Sequence, residues 1–430
     1  MASLLKILPE KTRNLAKENP VAFRYIIDGI LAASAVNIAS NNFNLFALRL
    51  GANDFQLSLV QFMPHIFTLL VLIPGGLFMD SLHNKKRIVI VMIMAVMLGY
   101  FLCGISPFAG IHSIYFFLGS LSLTGGAVAL YNIAWQSFFP GIVGPNLYNQ
   151  VLTLRTRVTL ISSMIAPLLV GVVLTRIGTV SGKIMAHQVF FISAVLLLFL
   201  AALNFRKFIT AQSASLFTKH LSLSEIRTAG KSFLHNKSFM LFACTALFFY
   251  TTWHFDWTLY FIGQVNYLKM NEFQLGLIPL GAAAIQLITL RFWSRMNERY
   301  GVVLPFTFGI LGLSLCPIFM IIAVSLPSFL GPHLFVVLHF SAHIPFCVIT
   351  LNLYQCILKV TDSKNRSFSI SVFTSMTCLS NAIMPVAGVS LYHTLGANIN
   401  GFRYTFWIIF VLRIMAALLW LLWWRKNRSI

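Results

Sequence analysis

Uninterrupted apolar runs constrain this chain more than any other feature. Stretches of about twenty residues with almost no charge recur from residue 22 to residue 424. Each is long enough to cross a hydrocarbon core of about 30 Å. The alternating pattern of a membrane β-barrel is absent. The expected fold class is therefore an all-α polytopic membrane protein. Composition agrees, with 58% hydrophobic and only 10% charged residues in 430 positions, where a soluble chain is about a quarter charged.

About twelve spans can be placed. In the first half they lie near 22–48, 57–79, 88–107, 112–138, 149–175 and 186–205; in the second, near 239–264, 272–294, 302–325, 333–356, 367–393 and 403–424. One long polar connection separates them. It carries Arg206, Lys207, Lys219, Arg227, Lys231 and Lys237, and its "LSLSEIRTAGKSF" reads as a surface helix. The expected organisation is an N-terminal six-helix bundle over 1–206, a cytoplasmic linker over 207–237 and a C-terminal six-helix bundle over 238–430. Residues 1–20, with Lys6, Lys11, Arg13 and Lys17, form a basic, partly amphipathic lead-in suited to the membrane surface. The first run contains Asp28 and lacks a small-residue cleavage site, so it reads as a retained helix.

The net charge is +21, from 31 Lys and Arg against 10 Asp and Glu. Its placement disfavours nucleic-acid binding. The N-terminus, Lys85–Arg87, the linker, Arg295 and Arg299, Lys359 to Arg366, and the tail after Arg425 alternate onto one side of the membrane. By the positive-inside rule both termini are cytoplasmic, in the inner or plasma membrane of the cell. The six cysteines all fall in apolar segments, without metal-type spacing or an extracellular framework.

A repeat orders the two halves. "NDFQLSL" at Asn53 returns as "NEFQLGL" at Asn271, so Asp54 maps onto Glu272 with a shift of 272 − 54 = 218. The same shift maps Asp80 onto Glu298 and Pro167 onto Pro385. A tandem duplication of a six-span unit follows, in parallel orientation. Within the repeated segment, Asn53 and Asn271 are expected as N-caps and the acids as first-turn residues, a structural role. Pro167 and Pro385 are expected to bend the fifth span of each half.

The inner loop "GGLFMDSLHNKKR" resembles the signature between the second and third spans of the major facilitator superfamily, roughly G-x-x-x-D-R-x-G-R-[RK]. Gly76, Asp80, Lys85, Lys86 and Arg87 match; Ser81 and His83 stand where the family has Arg and Gly. The second copy, "SRMNERYG", keeps Glu298, Arg299 and Gly301. The resemblance implies two pseudo-symmetric bundles, alternating access and a cytoplasmic gate at these two loops. In the fifth span, Ala166-Pro167-Leu168-Leu169-Val170-Gly171 keeps part of the G-P-x-x-G-G signature of proton-driven exporters. No G-x-x-x-x-G-K-[ST] loop is present, which argues against ATP drive, and no enzyme chemistry or cofactor is expected.

Asp28 and Asp256 are the acids within spans. Burying an unpaired carboxylate in a membrane is costly, which makes both functional candidates. Asp28 has Arg24 one turn back, so a local ion pair is expected. Asp256, with no basic neighbour in sequence, is the leading proton acceptor. His254 would point to the opposite helix face unless the helix is broken. Asn37, Ser40, Asn41 and Asn44 form a polar stripe suited to a cavity wall. Gln61 and His65, Asn132, Trp135 and Gln136, and Trp253 add polar or aromatic groups in other spans. His339 and His343 share a face, but nothing completes a metal site. Arg155 and Arg157 are expected to snorkel rather than bind an anion. Arg413, in the middle of the last span, has no sequence-level account.

The favoured function is proton-coupled export of small amphipathic compounds by a monomer whose partners are the bilayer and its solute. Uptake of a polar solute is the alternative. A receptor or lipid-handling protein on the same fold is another.

Overall fold

A computed structural model describes residues 20–81, 85–138, 145–208, 237–360 and 366–426. The basic lead-in, the surface helix expected in the linker and the tail from Asn427 lie outside them. The first span is α1 (Pro20–Ser40) with α2 (Phe43–Arg49). Then come α3 (Asp54–Ser81), α4 (Lys85–Ile105), α5 (Ser113–Phe138), α6 (Pro145–Thr175) and α7 (Val180–Arg206). The second half opens with α8 (Lys237–His254) and α9 (Trp257–Ile262), which form the seventh span, followed by α10 (Glu272–Tyr300). The ninth span is α11 (Val303–Leu313) with α12 (Cys316–Ser325). Finally come α13 (Gly331–Val360), α14 (Arg366–Thr394) and α15 (Ile399–Lys426). Among the described residues ten stretches are long and apolar enough to cross a membrane, one of which, Lys86–Trp135, takes in most of both α4 and α5. With the seventh span added, the crossings among the described residues number twelve, as the apolar runs predicted.

The bundles meet along two related seams, α3 on α14 and α6 on α10. One end of the molecule carries Arg206 and Lys237, where the linker leaves and returns; the opposite end is called distal. A continuous buried cluster joins Phe46, Phe117 and Phe191 of the first bundle to Leu259, Phe402 and Phe406 of the second. A separate cluster around Phe242, Phe306 and Trp420 fills the linker half of the second bundle. Large apolar side chains such as Leu70, Leu169 and Leu418 face outward, at 62%, 58% and 53% exposure, as lipid contact requires.

Three spans expected to be continuous are broken. In the first, Ser40, Asn41 and Asn42 donate side-chain bonds to the carbonyls of Val36, Asn37 and Ile38 at 2.6, 3.0 and 3.3 Å. Such back-bonding competes with the helix ladder, and α1 ends there. The ninth breaks at Ser314–Leu315, where Pro317 has no N–H for the Leu313 carbonyl one turn back. The seventh breaks at Phe255–Asp256, where Gly388 of α14 lies so close that a Cβ would collide with the Phe255 carbonyl. Pro167 and Pro385, by contrast, sit in helices that run on through them.

Gly388→Val is therefore expected to cost about 1–3 kcal/mol through overpacking at the break. It should lower the melting midpoint of the detergent-solubilised protein. Gly119→Val, where a Cβ meets nothing within 4 Å, should leave that midpoint unchanged.

Candidate functional site

A cavity of about 400 Å³ lies in the N-terminal bundle, with Asn37, Tyr131, Asn132, Arg155, Thr159 and Ser163 as its polar wall. Small residues of α1, Gly29, Ala32 and Ala33, make the room. A Cβ on Gly29 would stand 2.7 Å from the Arg155 Cγ.

Arg155 is the centre of this wall. It is 9% exposed and turns into the bundle, not out to the interface. The expected snorkelling is therefore corrected. Its guanidinium lies over the rings of Tyr25 and Trp135, at 4.4 and 4.2 Å, where the ring faces attract a cation. One nitrogen donates to the Tyr25 carbonyl at 2.8 Å and to Asp28 Oδ2 at 3.2 Å. The Tyr131 hydroxyl adds a longer contact to the same carboxylate oxygen, at 3.4 Å.

Asp28 is fully buried, and its partner comes from the fifth span, so the local pair with Arg24 is also corrected. Helical spacing brings Arg24 near, but the enclosed guanidinium of Arg155 gives Asp28 a partner inside the protein. The Arg24 backbone carbonyl accepts from Asn204 Nδ2 at 2.9 Å. Arg157 is exposed, in keeping with snorkelling.

The break in the first span divides the amide stripe. Asn37 lines the cavity and accepts from Asn41 through its Oδ1 at 3.3 Å. Asn41 is exposed, and Asn44 lies beyond the break with its Oδ1 buried and unbonded.

Asp256 is not the unpaired acid its sequence neighbourhood suggests. Arg413 of α15 reaches both carboxylate oxygens, each at 2.7 Å, and the two side chains are 0% and 3% exposed. The same guanidinium donates to the carbonyls of Trp253 and Leu313 at 3.0 and 3.2 Å, with a longer contact to that of Thr252 at 3.4 Å. These carbonyls are the ones exposed by the breaks in the seventh and ninth spans. Arg413 thus has an account: it supplies donors where the helix ladder lacks them, as a membrane interior demands.

His254 is the last residue of α8, directly before the break in the seventh span. Its Nδ1 meets the Ser380 hydroxyl at 3.0 Å, and it lies within electrostatic reach of His65 in the other bundle. His65 itself donates to the Gln61 carbonyl at 2.8 Å. Trp253 packs against Phe249 and Phe346, whose ring also meets His343. The rings of His339 and His343 are 5.2 Å apart. Among the described residues no three ligating side chains gather for a metal.

For the loop residues, the side chains of Gly76, Asp80 and Lys85, like that of Gln136, lie outside the described residues. Lys86 Nζ donates to the Phe208 carbonyl at 2.6 Å, just past the end of α7, and not to the other bundle. Arg87 and Glu298 are exposed, and the Arg299 guanidinium lies 5.2 Å from the Tyr300 ring. Gly301 ends α10 at φ 74°, a left-handed conformation that favours glycine.

Tyr25, Tyr131, Thr159 and Ser163 escaped the sequence reading. Aligned with Asp28, the small residues Gly29 and Ala32 were the available sign that a bulky partner packs there.

The model of the Major Facilitator Superfamily matches this chain over two overlapping stretches, residues 25–338 and 254–429. No curated protein matches it. Among solved structures, a bacterial homologue of the iron transporter ferroportin in an inward-facing state is similar, with a TM-score of 0.74 and 13% identity over 94% of this chain and 98% of that one. A D-xylose–proton symporter gives 0.71 with 11% identity, over 93% and 96%. A nucleoside transporter gives 0.72 with 12% identity, over 94% and 99%. At such identities the likeness is one of fold. With its family match spanning both bundles, the chain belongs to the Major Facilitator Superfamily of membrane transporters.

Proposed function

We propose that the protein exports a small amphipathic solute in exchange for protons, working as a monomer by alternating access, with the distal end extracellular. The buried pair of Asp28 with Arg155, which lines the cavity, carries this reading. A cavity of about 400 Å³ falls in the range of small-molecule sites. Asn37, Asn132, Thr159 and Ser163 offer hydrogen bonds without fixing the charge of the solute, and apart from Arg155 and Tyr131 the remaining lining is apolar.

Coupling follows from one carboxylate and one guanidinium sharing a site. With Asp28 ionised, its carboxylate accepts a donor group of the solute beside Arg155, and a proton taken up by Asp28 on the outer side removes that acceptor and displaces the solute. Loss of the proton on the inner side, favoured by the Arg155 charge, restores the carboxylate for the next solute. Asp256 was the stronger expectation for this role, but its two oxygens are held by an arginine that also mends two broken helices. Asp28 is the better candidate. The partial signature from Ala166 to Gly171 favours export over uptake.

The test uses purified protein in liposomes loaded with a pH-sensitive dye. A panel of small amphipathic compounds is added, and proton movement is recorded with and without an imposed pH gradient. The expected result is a compound whose movement changes the internal pH and which accumulates when the gradient is imposed. If no compound crosses under a gradient, the transport reading falls, and a receptor or lipid-handling role replaces it.

A further inference from the structure

The repeated "N-[DE]-F-Q-L" segments do more than start helices. The capping role is present in both. Asn53 Oδ1 accepts from Gln56 N at 2.8 Å, Asn271 Oδ1 accepts from Gln274 N at 2.8 Å, and each glutamine side chain returns a bond to its cap. The acids that follow point elsewhere. Glu272 of the second bundle accepts from Arg49 at 2.5 Å and from Lys183, both in the first bundle. Asp54 of the first bundle lies 3.4 Å from His393 Nε2 in the second. Among the described residues, the ion pairs that join the bundles and the Asp54–His393 contact all lie at this distal end.

The arrangement obeys the repeat. Shifting His393 back gives 393 − 218 = 175, and the Thr175 hydroxyl accepts from Phe273 N at 2.9 Å. The last turn of α14 therefore meets the start of α3, and the last turn of α6 meets the start of α10. Gly171 and Gly276 allow this approach, since a Cβ on them would stand 2.6 and 2.8 Å from the carbonyl oxygens of Glu272 and Pro167.

We propose that Glu272 and Asp54 form a gate that holds the distal side shut, with Glu272 as its main latch. This gate rests on the alternating-access reading above. Glu272 and Arg49 have side chains only 13% and 9% exposed, so their charges attract through little water. Arg49 is also held by His187, whose Nε2 accepts from the guanidinium at 2.6 Å. The latch is thus anchored in one bundle and closes on the other. The Asp54–His393 contact is more open, at 24% and 49%, and adds less. When the distal side opens, these groups separate into water, and the loss of the latch should favour that open form.

The experiment measures distances across the distal end. Spin labels are placed at Ile111→Cys and Phe329→Cys, which are 90% and 76% exposed, in full-length protein in lipid nanodiscs with Cys244 and Cys378 replaced by Ser. Glu272→Gln should raise the population with long distances about tenfold, as loss of a charge-assisted contact implies. Asp54→Asn should raise it less. The exchanged pair Glu272→Arg with Arg49→Glu should return it toward the starting distribution. A Glu272→Gln distribution equal to the starting one overturns the latch. The transport reading stands or falls separately: opening by Glu272→Gln in a protein that moves no solute keeps the latch and removes the solute assignment.

Discussion

Arg413→Met is expected to lower stability more than any other single change considered, by about 3–5 kcal/mol. The measurement is the melting midpoint of the purified protein in detergent, followed by tryptophan fluorescence or by retention of a monodisperse peak. The cost has two sources. Removing the guanidinium leaves Asp256, which is 0% exposed, as a charge without a counter-charge or forces it to neutralise by taking a proton. It also strips donors from the carbonyls of Trp253 and Leu313, and an unpaired carbonyl in a membrane interior has no water to turn to. A second variant separates the two sources. Arg413→Met with Asp256→Leu should recover the ion-pair part, because apolar replacement of a buried pair is often neutral. It should not recover the carbonyl part. Full recovery would mean that the breaks need no donor, and an unchanged midpoint in the single variant would remove Arg413 from the core of the bundle. Arg413→Lys should remain impaired, since one ammonium cannot reach the carboxylate and two separate carbonyls as a planar fork does.

The fold was legible in sequence because apolar length and the 218-residue register act at the level of whole spans. The side-chain pairs were not, since partners 127 and 157 positions apart meet only once the bundles close. Asp28 was read against Arg24, its helical neighbour, when the competing guanidinium came from another helix. Asp256 was read as unpaired for the same reason. The breaks were partly legible. Pro317 marks the Leu313 carbonyl as lacking its donor, and that mark calls for an outside group such as Arg413. The break at Phe255–Asp256 depends on Gly388 in a different span, which no local pattern contains. The repeated asparagine caps were read correctly from spacing. The reach of Glu272 to Arg49 and Lys183 required the second bundle to be in place.

Asp28→Asn is expected to abolish coupling while leaving the solute able to cross. Asparagine keeps the shape of the side chain and an oxygen for the Tyr131 hydroxyl and for Arg155, but it cannot exchange a proton. Arg155 then keeps its charge without a counter-charge. Its place between the rings of Tyr25 and Trp135, with the Tyr25 carbonyl at 2.8 Å, offsets part of that cost, because a desolvated cation over aromatic faces gains about 2 kcal/mol. The variant should therefore fold, with a smaller loss of stability than Arg413→Met. In liposomes, proton movement driven by solute should fall to background, and an imposed pH gradient should no longer drive accumulation. Exchange of labelled for unlabelled solute at equal pH should continue. Asn37→Ala provides the contrasting result: losing one hydrogen bond to the solute should weaken its apparent affinity about tenfold, with the ratio of protons to solute unchanged. Coupling that survives Asp28→Asn would move the proton site away from this pair. Coupling lost in Asn37→Ala would mean that the amide wall, and not the carboxylate, links the two fluxes.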